Sequence, residues 1–460
     1  MTYSEQLSQF ITTLSFENIP SPVIERAKLH LLDTLGVALA GSIQENGING
    51  RNGLNAMPNT GGKCHVWGSQ FKLSPAYAAL ANGIAAHALD FDDTHTDSIV
   101  HGSAVLTPLV MALAEDLEID GKSLLTAYIA GWEVAARVGM ASKGGFHKRG
   151  FHSTAIGGIF GAVCSSAYLL KLTPQACAHA IGLAGSQAAG IAEYLTNSSA
   201  AKCFHAGWAA HSGILSAYLA NSGLTGPLTL FEGRYGLYVT HGIQQEAVPQ
   251  DVCTDLGQRW EMLRVSIKPY PCCHFAHATV DCARMLRQDG VLPEDIEHIH
   301  CVVDPIAAAL ICEPPETKFE PNTPYAAKFS LPYLVASGMI DDRLNLTSFQ
   351  PQQLIRADVK ALAKRVSYRY CEAGEIPFPT YFPGFIDVTL KNGSVMTKRL
   401  DINYGNPENP MKRSDVEQKF RDNASHVLTE QAIEKVIELV AKIEHQPVAE
   451  LAEWLTRVKP

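Results

Sequence analysis

Four stretches built largely of Ala, Gly and Ser set the strongest limit on how this chain can fold. They are AYAALANGIAAHAL (76–89), LLTAYIAGWEVAARVG (124–139), GGIFGAVCSSAYLL (157–170) and AAHSGILSAYLANSG (209–223). Each is long enough for about four helical turns and apolar nearly all round. Small side chains let helix axes approach closely, so such segments are expected to be buried helices packed against one another. PSPVIERAKLHLLDTLGVALAG (20–41) adds Ile24, Ala27, Leu31, Leu32 and Leu35 at helical spacing, with Gly41 as a stop. Residues 20–260 therefore read as a tightly packed helical domain.

Near residue 265 the pattern changes. IEHIHCVV (296–303) and RVSYRY (365–370) look like strands, and FIDVTLKNGSVMTKRL (385–400) like a hairpin. In that hairpin Asn392-Gly393 is expected to form a type I′ turn. HATVDCARMLRQ and AAKFSLPYLVASGMI are helical segments interleaved with these strands, which gives a smaller α+β domain. After NYGNPENP the helical period returns. Ser414 and Glu417 are a candidate capping box for SDVEQKFRDNA, and QAIEKVIELVAKI follows.

At 460 residues the chain exceeds one ordinary core, so two domains are expected. The boundaries fall at 1–265 with 405–460 for a helical domain made from both chain ends, and 266–404 for an inserted α+β lid. Charged residues are 18% and the formal charge is −9, which disfavours nucleic acid or an anionic membrane as partner. MTYSEQLSQFITTLSF lacks the basic-then-apolar pattern of a leader, and no apolar run reaches membrane-spanning length. The eleven cysteines include no C-x-x-C pair. Reduced thiols in a cytoplasmic protein are the expectation.

The chemistry concentrates in HALDFDDTHTDSIVHGS (87–103), with four Asp and three His in seventeen positions. Three readings are open: a solvated loop, a metal site, or acid–base apparatus. Asp92-Asp93 with Asp97 is reminiscent of the aspartate motif of magnesium-dependent terpenoid synthases that act on diphosphates. The second metal motif that such enzymes need is missing from the sequence. Three further clusters sit beside helix starts, where free backbone N–H groups favour anions. They are His152 in RGFHSTAIGGIFGAV, Lys202 and His205 in NSSAAKCFHAGWAAHSG, and Lys268, His274 and His277 in KPYPCCHFAHATVDC.

Taken together, HALDFDDTH…HGS, GFHSTAIGGIFGA, AAKCFHAGWAAHSG, KPYPCCHFAHATVD, AKFSLPY and the NPENPM…E-x-KFRD tail resemble the MmgE/PrpD family, almost end to end. Its members include 2-methylcitrate dehydratase, cis-aconitate decarboxylase and iminodisuccinate epimerase. The resemblance implies a mostly α fold, a homodimer, no organic cofactor, no metal, and a small di- or tricarboxylate as substrate. It points to a lyase, foremost a hydro-lyase of the 2-methylcitrate dehydratase type, with decarboxylation or epimerisation as alternatives. Carried over by motif, Asp90, His101 and His152 are the catalytic candidates, and Thr94, Lys202 and His277 the substrate-binding ones. The family usually has Pro where this chain has Gly102.

Overall fold

The computed structural model describes residues 1–459 apart from 198, 342 and 379. The fold is mostly α, and its described strands form one four-stranded mixed sheet and two short antiparallel pairs. The chain divides into two compact units, residues 1–267 with 412–460, and residues 268–411. No helix among the described residues is long and apolar enough to cross a membrane.

In the first unit the Ala/Gly/Ser stretches lie on long helices. We number these α1 (Ser21–Ser42), α2 (Pro75–Ala86), α3 (Ser103–Leu117), α4 (Gly121–Ala141), α5 (Ser153–Leu169) and α6 (Ala201–Asn221). Local chemistry fixes their starts. Pro75 supplies a preset φ at the first turn of α2, and Asp120 caps α4 by accepting the Ser123 N–H at 2.8 Å. Gly41 does not stop α1, which runs on through Ser42. Its hydrogen instead faces α2, where a Cβ would lie 2.0 Å from the Ala85 carbonyl oxygen.

The crossing of α2 and α6 shows why small residues were needed. A Cβ on Gly83 would come within 2.7 Å of the Gly207 Cα, and one on Gly207 within 2.4 Å of the Leu80 carbonyl. The two backbones therefore touch. This contact brings the end of α2, where the Asp-rich stretch begins, beside the first turn of α6, which carries Lys202.

The second unit is built on a four-stranded sheet. Its strands are β1 (Ile296–Val303), β2 (Val366–Tyr370), β3 (Gly384–Leu390) and β4 (Val395–Leu400), in the order β2-β1-β3-β4. β1 and β2 are parallel, and the other two pairings are antiparallel. Ile299, Cys301, Ile386 and Val388 turn inward, while Asp387 and Thr389 alternate outward. The helices on this core include α7 (His277–Gln288), packed on β3 and β4, and α8 (Leu331–Asp341). The β3–β4 turn differs from expectation. Of its residues Gly393 alone has positive φ (86°), whereas a type I′ turn needs positive φ at two successive positions. Gly393 N–H donates to the Leu390 carbonyl, and Leu390 N–H to that of Ser394. The loop is thus three residues long, with glycine in the left-handed position.

The tail re-enters the first unit as α9 (Arg413–Ala424) and α10 (Glu430–Ala441), and α9 packs on α1. The expected capping box is absent, because Ser414 and Glu417 already lie inside α9, which starts one residue earlier with Lys412 as its N-cap. The tail's strongest tie is polar. Lys419 Nζ lies 2.6 Å from Asp33 on α1, donates to the Phe91 carbonyl at 3.0 Å, and sits 3.8 Å above the Phe91 ring.

Candidate active site

The aspartates of the 87–103 stretch divide among different partners. Asp90, held at φ 55° after α2, accepts a hydrogen bond from Lys202 Nζ at 2.7 Å. Asp92 accepts from His87 Nδ1 at 2.7 Å, both side chains being fully buried. Asp93 accepts from His30 Nδ1 on α1 at 2.6 Å and from the Ser103 hydroxyl and N–H at the head of α3. Tyr128 and Trp132 on α4 close this buried network on the Ser103 oxygen. Asp97 pairs with Arg264. A metal would need several of these carboxylates to converge, whereas imidazoles, a lysine and an arginine already hold them. Among the described residues no group of three or more His, Cys, Asp or Glu could hold a metal ion. The terpenoid-synthase-like alternative is therefore corrected: the aspartates brace side chains and do not form a ligand set.

His101 sits between these braces. Its N–H donates to the Thr154 hydroxyl at 3.0 Å, which ties it to the first turn of α5. Its Nδ1 lies 2.8 Å from the Asp93 carbonyl and 3.1 Å from the Thr94 hydroxyl. A carbonyl can only accept, so Nδ1 carries the hydrogen. In the neutral ring the lone pair then falls on Nε2. The Asp92 carboxylate stands 3.8 Å from Nδ1, close enough to favour the imidazolium whenever Nε2 takes a proton.

His152 caps α5, with its N–H bonded to the Gly190 carbonyl at 2.8 Å. Its ring lies 5.4 Å from that of His87, 6.4 Å from His101, 5.7 Å from Tyr194 and 5.4 Å from His205. The facing Nδ1 atoms of His152 and His205 are 3.3 Å apart, so one donates to the other. Burial pushes His152 well below the usual histidine range, and nearby His87, Lys202, His101 and His205 push it further. For the same two reasons, burial first, His205 falls to about 4. Burial also pulls on Lys202, but Asp90 and Asp92 outweigh it and hold the lysine above its ordinary value. The cluster thus pairs a fixed cation with two imidazoles, His152 and His205, that burial keeps neutral.

Lys202 and His205 occupy the first two turns of α6, not the segment ahead of it. Five of the six residues singled out from the sequence (Asp90, Thr94, His101, His152 and Lys202) gather in this first-unit cluster. His277 lies in the second unit, at the first position of α7, buried, with its Nε2–H donating to the Cys272 carbonyl at 3.1 Å. Lys268 is buried in the same unit. His87, Asp92, Tyr194 and His30 were not among those six, Asp92 having been read only within the aspartate motif. The first two stood inside the quoted stretch, but nothing in a linear sequence says which carboxylate faces which imidazole.

Two family domains match this chain, the MmgE/PrpD N-terminal domain over residues 5–250 and the MmgE/PrpD C-terminal domain over residues 270–445. The chain belongs to the MmgE/PrpD family. Its relatives include the cis-aconitate decarboxylase of Mus musculus, 30% identical across 96% of this chain and 90% of that protein. The Homo sapiens enzyme of the same name is 29% identical (96% and 92% covered), and that of Aspergillus terreus 27% (95% and 92%).

Glycine at position 102 has a physical reason. A Cβ there would lie 2.7–2.8 Å from three ring carbons of Trp132. The indole takes the room that a side chain at 102 would need and donates its Nε1–H to Ser103 at 3.1 Å. Gly102→Ala should therefore cost about 1–3 kcal/mol, the usual range for overpacking. In urea unfolding, adding Trp132→Leu should return part of that loss. Equal stability of Gly102→Ala and the parent would refute the clash.

Proposed function

We propose that this protein is a lyase acting on a small di- or tricarboxylate, with decarboxylation of cis-aconitate as its reaction. The sequence pointed first to a 2-methylcitrate dehydratase. The relatives above carry the name cis-aconitate decarboxylase, and they favour the alternative. One observation carries the chemistry: His101 has its Nδ1–H tied to a backbone carbonyl and a carboxylate behind it, which leaves Nε2 to move a proton.

When a C–C bond to a carboxylate breaks, carbon dioxide leaves and the electron pair remains on carbon. The neighbouring double bond and carboxylate spread that charge until an acid returns one proton to carbon. In this reading protonated His101 is the acid, and Asp92 sustains its charge. His152, kept neutral by burial and by its cationic neighbours, offers a hydrogen bond and is not a stored acid. The Lys202 ammonium, held by Asp90, attracts a substrate carboxylate, and Thr94 orients His101. His277 is proposed as a further carboxylate-binding residue on the strength of its family motif.

The test is proton NMR in D₂O with cis-aconitate, citrate, 2-methylcitrate and iminodisuccinate supplied separately. Loss of carbon dioxide from cis-aconitate, with one deuteron entering the product carbon, is expected. Turnover of 2-methylcitrate alone would replace this reading with the dehydratase. We also propose a homodimer. α6 exposes Phe204, Leu215, Tyr218 and Leu219 at 43, 40, 37 and 37%, and Lys202 is its one charged residue. A monomer mass by light scattering at micromolar concentration would exclude it.

A further inference from the structure

Asp92 faces two imidazoles through one oxygen. Its Oδ2 is 2.7 Å from His87 Nδ1 and 3.8 Å from His101 Nδ1. The His87 ring is buried, 5.2 Å from the His101 ring and stacked on His152 at 5.4 Å. His87 Nε2 has no hydrogen-bond partner among the described residues. A buried imidazole held at one nitrogen only does more than fill space, since an unmet polar atom there is costly. His87 makes no contact that the reaction sketched above requires. What it does hold is the carboxylate on which the charge of protonated His101 depends.

We propose that His87 sets the basicity of His101 by competing with it for Asp92. While His87 donates to Oδ2, it takes up part of the carboxylate's capacity and keeps that oxygen one ångström farther from His101. Without His87, the share of Oδ2 that it occupies becomes open to His101, which then binds its proton more tightly. Without the Asp92 charge, His101 binds its proton less tightly. Among the described residues, the other charged or titratable groups around this site include Asp93 with His30, the Asp33–Lys419 pair, His152 on α5, Tyr194, and Cys203, His205 and the Lys202–Asp90 pair at the head of α6. His87 is thus a positioning residue, acting through Asp92. The consequence for turnover rests on the lyase reading above, while the competition itself does not.

The experiment is a ¹⁵N-histidine NMR titration of the full chain, with the His101 signal assigned by its loss in His101→Asn. In His87→Ala the His101 midpoint should rise by about one pH unit, the scale at which neighbouring sites titrate as a pair. In His87→Asn, which keeps an N–H donor toward Asp92, it should return toward the parent value. In Asp92→Asn it should fall below the parent. Should His87→Ala not fold, His87→Asn and Asp92→Asn still decide. An unmoved midpoint in Asp92→Asn, or a rise in His87→Asn as large as in His87→Ala, overturns the proposal. The acid limb of kcat/KM on cis-aconitate should move with each midpoint. If the parent turns over none of the carboxylates, the lyase reading fails and the titration still judges the competition.

Discussion

His101→Ala folds as the parent does and turns over its carboxylate substrate about 10²–10⁴-fold more slowly, the range a positioned general acid or base supplies. The fold survives because what His101 gives the structure is mostly backbone: its N–H still reaches Thr154 Oγ1, and the side chain retains some exposure (12%). What disappears is the Nε2 atom whose tautomer the Asp93 carbonyl fixes. The loss should fall mainly on kcat, because the proton His101 delivers is needed in the transition state while carboxylate attraction rests chiefly on the Lys202 ammonium. Lys202→Met should show the converse emphasis, with KM raised. Steady-state kinetics with a thermal melt on each variant check both points. A His101→Ala protein with parental kcat would remove His101 from the chemistry.

The helical unit was legible because its signal is periodic and strong. Small residues recurring along 76–89 or 157–170 allow little except close-packed helices, and the Gly83–Gly207 contact is what they make possible. The start and end of α7 could be placed to the residue, since His277–Gln288 alternates apolar and polar faces cleanly. Turn and cap chemistry was less legible. Asn-Gly permits a type I′ turn without requiring it, and here the register of β3 against β4 leaves room for one more residue. Ser414 and Glu417 have capping-box spacing, yet α9 begins before them.

Within the site, residue identity was legible and pairing was not. DFDD announces carboxylates, but that Asp93 binds His30 depends on α1, which is sixty residues away in sequence and reads there as an ordinary core helix. Asp90 shows the same limit. By motif it was a catalytic candidate, and in the structure it holds Lys202, while Asp92 and Asp93 hold the histidines. Partner choice among adjacent carboxylates follows from the left-handed turn at Asp90 and from which helices pack behind the loop.

Lys419→Met should lose about 3–5 kcal/mol of stability near neutral pH, the cost of leaving one member of a buried ion pair alone. The member left behind is Asp33, fully buried on α1. Burial raises its pKa to about 6 even with Lys419 pulling it down, and the nearby Asp93 and Asp92 add to the rise. A carboxyl whose folded value exceeds its unfolded one favours the folded state below the unfolded value. That advantage is lost as pH rises through the folded value. Without Lys419 the folded value climbs further, so the variant's deficit should be widest above pH 6 and narrow on acidification toward 4. Adding Asp33→Asn removes the charge and should recover most of the loss, because an ion pair taken out of water contributes little net stability even when breaking it is expensive. Lys419 also holds the Phe91 carbonyl, between Asp90 and Asp92. The double variant should therefore regain stability while its turnover stays below the parent's. Urea unfolding between pH 4 and 8, paired with turnover at one pH, separates the two effects. A deficit in Lys419→Met that is flat with pH would mean Asp33 is not the group left exposed to the loss.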